Sequence, residues 1–391
     1  MKKICVVTSS RADYGILRPL IARLCKEPNV VLQIVATGMH LCHEYGNTFN
    51  EILDDGFEIH RKIEIQLSSD EPVAMSKSMG MAMICFADYF KQYTPDILIL
   101  LGDRYEIMAV ACAAVNQRIP IAHIHGGETT EGAVDEFFRH SITKMSLLHF
   151  TSCEVYRRRV IQLGEEPNRV FNVGSLSVEN IMKAPLMSTD ELSESLGFRL
   201  ESRKYCVVTF HPVTLEDYAF EKQLSELMFA MDKFPEMRYI ITKANSDAGG
   251  RVINSMWEDY VSSRKNCLLV ASLGMTRYLS ALKHCVAMVG NSSSGILEGP
   301  ALKIPTVNIG DRQKGRLAAS SIIHCEPTQD SIFKAIKKAL GVDFRALCAN
   351  LENPYGNGKA SENIIAIIQS KTTPVSELKK KFYDINTKEL P

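Results

Sequence analysis

Between Ile97 and His140 the chain crowds acids, two histidines and a double glycine onto what read as consecutive strand ends: ILILLGDRYEI, then IPIAHIHGGETTEGAVDEFFRH. The apolar run Ile97 to Leu101 has strand length, so Asp103 and Arg104 fall just past its carboxyl end, where open parallel sheets bind ligands. The run Ile119 to Ile124 repeats the arrangement and brings His123, His125 and Glu128 to the same edge. Asp135, Glu136, Arg139 and His140 follow at helical spacing, so one helix can aim acids and bases at those ends. Asp103, Glu128 and Asp135 converging on one crevice cannot all ionise freely. Repulsion and burial separate their pKa values and leave a base and an acid near neutral pH, which is the equipment for proton transfer. The bland alternative is a set of helix caps and surface charges.

A second group has the chemistry of phosphate binding. Val286 to Val289 reads as a strand, Gly290 to Gly295 (GNSSSG) as a turn of small residues, and Ile296-Leu297-Glu298 as the start of a helix. Such a turn presents backbone N–H groups and hydroxyls at a positive helix end, although a serine cap on an ordinary turn would look the same. Glu298, one turn further on, can accept from ribose hydroxyls and favours a nucleotide. His211 in FHPVT and Asn245 in KANSDAG end the first two strands of the second domain, and Arg312 in GDRQKGR supplies a guanidinium suited to forked diphosphate contacts. Near the start, Ser10 and Asp13 fit helix capping, whereas Arg11 has no capping job and reads as an anion contact. No G-x-G-x-x-G is present, so the nicotinamide dinucleotide fingerprint is missing.

His40, Cys42 and His43 superficially resemble a metal cluster, but their gaps do not close a tetrahedral site without a distant second pair. His123 and His125 share a strand face and form the other metal alternative. No metal and no cofactor are expected.

These residues need a scaffold that lines up strand ends. Short apolar runs alternate with helix-length amphipathic stretches: Ile4 to Thr8, Val30 to Thr37, Ile97 to Leu101, Ile119 to Ile124, Leu148 to Thr151 and Val170 to Val173. The alternation lapses over 183–204 and restarts with Tyr205 to Phe210, Arg238 to Thr242, Cys267 to Ala271, Cys285 to Val289 and Pro305 to Ile309. The expectation is an α/β protein of two Rossmann-like doubly wound domains. Residues 1–185 would carry the acid–base cluster and 186–371 the nucleotide site, with a C-terminal helix over 372–391 packing back on the first.

Composition sets the class. The 391 residues suffice for two cores, hydrophobic residues make up 46% and charged residues 23%, and no apolar run approaches the roughly 18 residues of a membrane span. Forty-five basic residues balance forty-five acidic ones, so nothing draws the molecule toward nucleic acid or an anionic membrane. Eleven cysteines without a C-x-x-C pair read as buried thiols in a reducing compartment, and the start lacks a signal-peptide pattern. The expected location is the cytoplasm.

Taken in order, GDRYE, HIHGGE, DEFFRHSITK, HPVT, GNSSSG with its later Glu, and GDRQKGR resemble the hydrolysing UDP-N-acetylglucosamine 2-epimerases of bacterial sialic-acid synthesis. The similarity runs from SSRADYG to NPYGNGKASE. It implies the GT-B-like architecture of one glycosyltransferase superfamily, with two Rossmann domains facing across a cleft. It also implies conversion of UDP-N-acetylglucosamine and water to N-acetylmannosamine and UDP. Asp103, Asp135 and the HxxGGE segment would move protons, with His125, Glu128 and His211 assisting. Arg11, His40, Arg104, His140, Asn245, Ser292, Ser293, Glu298 and Arg312 would bind substrate. Some relatives have glutamate where this chain has His125. Alternatives are the same chemistry on UDP-N,N'-diacetylbacillosamine or GDP-N-acetylglucosamine, a glycosyltransferase of the same architecture, a non-hydrolysing epimerase, or a nucleotide-sugar sensor. Phe137-Phe138 and MSKSMGMAMICF are candidates for an interface in a homo-oligomer, a dimer or tetramer, or for intrachain core.

Overall fold

A computed structural model describes residues 1–43, 46–65, 72–129, 134–212, 219–244, 250–371 and 378–385. The chain divides into two compact units, Met1–Asn180 with Tyr355–Pro391, and Ile181–Pro354.

The first unit contains β1 (Lys2–Thr8), α1 (Arg11–Leu24), β2 (Val30–Thr37), α2 (Phe49–Asp54), β3 (Arg61–Ile63), α3 (Pro72–Tyr93), β4 (Ile97–Leu101) and α4 (Tyr105–Asn116). It continues with β5 (Ile121–Ile124), α5 (Asp135–Met145), β6 (Leu148–Thr151), α6 (Glu154–Gln162), β7 (Val170–Asn172) and α7 (Leu176–Lys183), the last three residues of which fall in the second unit. The strands lie in the order β3-β2-β1-β4-β5-β6-β7, all parallel. Buried apolar runs form these strands because helices cover both faces. Successive residues then feed opposite cores: Ile4, Val6, Ile97 and Ile99 pack with α1, while Cys5, Val7, Leu98 and Leu100 pack with Phe86 and Phe90 of α3.

The second unit contains α8 (Thr189–Leu196), β8 (Tyr205–Thr209), α9 (Ala219–Met231), β9 (Arg238–Thr242), α10 (Gly250–Ser262), β10 (Cys267–Val270) and α11 (Gly274–His284). Then come β11 (Ala287–Gly290), α12 (Ser294–Ala301), β12 (Thr306–Ile309), β13 (Ile322–Cys325), α13 (Gln329–Leu340) and α14 (Val342–Ala349). Its parallel sheet runs β10-β9-β8-β11-β12-β13. Both sheets therefore reverse strand order once, between β1 and β4 and between β8 and β11, and ligands in such sheets settle at the carboxyl ends beside that reversal. The expected pair of doubly wound domains is present. The edge strands β3 and β13 were not anticipated.

The chain returns to the first unit at Tyr355, earlier than 371. Helix α15 (Ala360–Ser370) packs Ile364, Ile365 and Ile368 beside Leu17, Leu20 and Ile21 of α1, and Glu179 accepts from the Ser361 backbone N–H at 2.7 Å and its hydroxyl at 2.6 Å. Helix α15 therefore joins the first unit. Of the stretch 372–391, where a helix was expected, only 378–385 is described, and it is non-helical apart from a single 3₁₀-type residue at Leu378.

Candidate active site

In the first unit, Ser9, Ser10 and Asp13 close the β1–α1 turn. The Asp13 carboxylate accepts from Ser9 N at 2.9 Å, Ser9 Oγ at 2.7 Å and Ser10 N at 3.0 Å, and Ser10 caps α1. Both residues therefore do the capping considered for them. Arg11 is left exposed, 3.8 Å from Glu51, an ion pair of little energetic weight.

Gly102, at φ +75, turns the chain so that Asp103 follows β4. Arg139 of α5, buried, donates to the Asp103 carboxylate and, through its other terminal nitrogen, to Glu136 at 2.7 Å and to the Glu128 carbonyl at 2.9 Å. Burial pushes the Asp103 carboxyl up. Arg139 opposes the push, while the charges of Asp135 and Glu128 add to it. The acids Asp103, Glu128, Asp135 and Glu136 are thus electrostatically one group, organised by a guanidinium that the sequence reading had only noted as a helix-face residue. Asp135 is exposed at the first turn of α5. His140 gives Nε2 to Glu136 at 3.1 Å.

His123 and His125 separate into different jobs. His123 is fully buried, with Nε2 2.8 Å from the Gly102 carbonyl and Nδ1 3.2 Å from the Thr143 hydroxyl. Burial lowers its pKa to about 3, so it is the neutral Nε2–H tautomer that donates to Gly102 and accepts from Thr143. Both nitrogens are engaged, which removes His123 from the metal alternative. His125 has φ +66, a left-handed conformation costly for a residue with a Cβ. Its Nδ1 lies 3.5 Å from Glu128 Oε1, and its buried Nε2 has no hydrogen-bond partner among the described residues. Ser152, at the end of β6, donates to the same Glu128 oxygen at 2.7 Å. A Cβ on Gly127 would lie 2.5 Å from the Tyr156 carbonyl, and one on Gly126 3.0 Å from His123 Nδ1. The double glycine is there for close approach.

Two expected substrate contacts are different in kind. His40 is fully buried, its nitrogens 3.0 Å from the Thr8 hydroxyl and 2.9 Å from that of Thr48, and burial lowers its pKa to about 4. It braces the ends of β1 and β2, without exposed surface to offer a ligand. Arg104 is forked onto the buried Glu106 at 3.0 and 3.2 Å. A third of its side chain stays exposed.

In the second unit the GNSSSG segment is the turn from β11 into α12. Gly290 has φ +138, and a Cβ there would collide with the Thr209 carbonyl of β8. Asn291, singled out by no sequence signal beyond its place before the serines, accepts from His211 N and donates to the His211 carbonyl, both at 2.8 Å. Its own carbonyl receives Gln313 at 2.9 Å and Arg312 at 3.2 Å. This amide therefore fixes His211, Ser292 and the Arg312 loop to one another. Ser292 and Ser293 are half-buried, and Tyr278 donates to Ser294 Oγ at 2.6 Å. Burial raises the Glu298 carboxyl to about 7, against a backbone bond, Ser294 and Arg316, and its Oε2 has no partner among the described residues. Asn245 lies outside the described residues.

The arrangement supplies, in one unit, ionisable groups around an arginine, and in the other a hydroxyl-rich helix start with an acid one turn beyond. No group of three or more His, Cys, Asp or Glu side chains placed to hold a metal occurs among the described residues, nor is any helix among them long and apolar enough to cross a membrane.

A family model described as UDP-N-acetylglucosamine 2-epimerase matches residues 22–369. The chain is 40% identical over 386 residues to the polysialic acid biosynthesis protein P7 of Escherichia coli, covering 98% of each. It is 42% identical to a GDP/UDP-N,N'-diacetylbacillosamine 2-epimerase (hydrolyzing) of Campylobacter jejuni, over 83% of this chain and 84% of the relative. The crystal structure of UDP-GlcNAc 2-epimerase from Neisseria meningitidis bound to UDP-GlcNAc has the same fold, with a TM-score of 0.80 at 18% identity over 94% of this chain and all of that one. A family match of this extent, with relatives aligned over nearly the full length, settles the lineage: the chain belongs to the UDP-N-acetylglucosamine 2-epimerase family.

Proposed function

We propose that the protein is a hydrolysing UDP-N-acetylglucosamine 2-epimerase, which turns UDP-N-acetylglucosamine and water into N-acetylmannosamine and UDP for sialic-acid or related nonulosonate synthesis. The observation that carries this reading is the Arg139-centred group of acids, with Asp135 exposed and His125 Nε2 uncommitted beside it. A protein that only binds a nucleotide sugar has no use for such equipment, and a transferase needs a base for its acceptor but no group to exchange the proton on carbon 2.

A carboxylate, Asp103 or Asp135, takes the proton from sugar carbon 2 as the anomeric C–O bond breaks and its electron pair leaves with UDP. Carbons 1 and 2 are then joined by a double bond. A proton returns to the opposite face of carbon 2 from His125, Glu128 or His211, and water supplies hydroxide to carbon 1 while its other proton restores the group that gave one up. Each such acid–base group contributes about 10²- to 10⁴-fold in rate. Ser292, Ser293, Arg11 and Arg312 are assigned to the departing diphosphate, Glu298 to the ribose, and Asn245, Arg104 and His140 to the rest of the substrate.

Turnover in heavy water tests the reading. Free UDP together with deuterium at carbon 2 of the released sugar is the expected result. A returned UDP-sugar would indicate a non-hydrolysing epimerase, and free UDP without deuterium a transferase or simple hydrolase. Because two relatives carry N,N'-diacetylbacillosamine in their names, that nucleotide sugar, on UDP and on GDP, and GDP-N-acetylglucosamine belong in the same panel. The reaction takes place in the cytoplasm, in a homo-oligomer. Support for the latter is Phe137, 74% exposed on α5, with Val73, Met75, Met81 and Ile84 exposed on α3, and light scattering measures it.

A further inference from the structure

A charge cluster outside the site is built on the buried Glu165, which is 1% exposed and follows α6. Its Oε1 receives Lys144 Nζ at 2.6 Å. Its Oε2 receives His149 Nε2 at 3.0 Å and Lys380 Nζ at 2.7 Å. Burial pushes the Glu165 carboxyl up, but these three donors outweigh it and bring it down to about 2. Burial lowers the pKa of His149, and Glu165 opposes the shift.

Lys380 comes from the chain's last described segment, more than 210 residues after the groups it joins. Its ammonium has three donors, and all are used: the third and second go to the carbonyls of Lys144 and Ser146, each at 2.8 Å. Those carbonyls sit at the carboxyl end of α5, where a helix has unpaired acceptors and favours a cation. Other contacts hold the segment in register. The Tyr383 N–H donates to the Gly164 carbonyl at 2.9 Å, and Phe382 lies so close over Gly164 that a Cβ there would strike its ring. Leu378 packs on the core of the first unit. The amino-terminal half of the same helix carries Asp135, Glu136, Arg139 and His140. At 11 residues the helix is about 16 Å long, too short to let one end shift without moving the other.

We infer that Lys380 is a positioning residue for the reaction: it caps α5 from the C-terminal segment and thereby fixes where Arg139 holds Asp103 and the Glu128 loop. The inference rests on the proposed activity for its catalytic consequence, and on exchange of backbone amides for its structural one.

The test compares the full-length parent with Lys380→Met, which keeps the aliphatic stem, and Lys380→Arg, which keeps the charge and donors. Hydrogen exchange over 142–148 should speed up about tenfold or more in Lys380→Met and return toward the parent in Lys380→Arg. With UDP-N-acetylglucosamine, kcat should fall about tenfold in Lys380→Met, KM should stay within about twofold, and Lys380→Arg should recover at least about half the lost rate. Should Lys380→Met fail to fold, Phe382→Ala loosens the segment without stranding a buried charge and should give the same pattern at smaller size. Parental exchange in α5, or faster exchange with kcat untouched, overturns the inference. If the parent turns over no nucleotide sugar, the proposed function falls, and the exchange rates alone decide whether Lys380 holds the helix.

Discussion

Arg139 reaches from α5 to Asp103 after β4, and the same guanidinium holds the carbonyl of Glu128 after β5. One buried cation thereby joins the ends of two strands and the helix that follows them. It also opposes the largest influence on the candidate base: burial raises the Asp103 carboxyl, Arg139 pulls it down, and Asp135 and Glu128 push it up again, with His123 neutral behind the loop.

Asp103→Asn should therefore bind UDP like the parent and lose at least about 10²-fold in kcat, the scale of one acid–base group. Arg139→Gln should move the acid limb of kcat/KM to higher pH, because removing the cation raises the carboxyl pKa further and shrinks its ionised fraction at neutral pH. A pH–rate profile of both variants checks this. An acid limb unmoved in Arg139→Gln would separate Arg139 from the base.

Ser152 argues a second prediction. Its hydroxyl donates to the Glu128 oxygen that also faces His125 Nδ1, so it restrains the carboxylate that orients the imidazole. Ser152→Ala removes one hydrogen bond to a charged group, about 1.5–3 kcal/mol, and should lower kcat about tenfold while leaving UDP affinity, measured by calorimetry, within twofold. A parental kcat would make Ser152 a bystander.

How far the sequence carried the site depends on what kind of fact each residue's role is. Asp103, His125, Glu128 and Asp135 were legible because apolar runs locate parallel strand ends, and residues just past them share an edge. Arg139 and Asn291 were not, since each matters through partners distant in sequence, Asp103 in one case and His211 in the other. The resemblance places His40 among the substrate contacts, but Thr8 and Thr48 close over it in three dimensions. Strand β3 has a single apolar residue, Ile63, and of β13 only Ile322 is buried at the sheet edge, so neither stands out as a buried run. Helix α15 shows an apolar face in sequence without saying which sheet it covers. The choice is made by Glu179 on Ser361 and by Tyr355, whose carbonyl accepts from Ser175 N at 2.8 Å.

Gly290 gives a prediction about stability. Its φ of +138 and the Thr209 carbonyl against its Cα leave no room for a Cβ, and the two residues are register partners across β8 and β11. Gly290→Ala should destabilise the protein by about 3 kcal/mol or more through strain and a forced backbone shift, read as a lower urea midpoint. Gly15→Ala is the control, since a Cβ there meets nothing within 4 Å and lies in a helix where alanine is favoured. Equal midpoints for the two variants would show that the β11 turn yields easily.

Glu298 supplies a prediction with a sign in pH. Burial holds its carboxyl near 7, with Ser294 and Arg316 pulling it down, and ribose hydroxyls need the ionised form as acceptor of two hydrogen bonds. Binding that selects the carboxylate releases a proton below that pKa, so affinity must rise with pH through about 7 and level off above it, by at most tenfold per pH unit on the acid side. Uridine is the right probe, because it has no phosphate to titrate in this range. Its Kd by calorimetry should fall between pH 6 and pH 8 in the parent and stay flat in Glu298→Gln, which cannot ionise. The same slope in both proteins would remove Glu298 from ribose recognition.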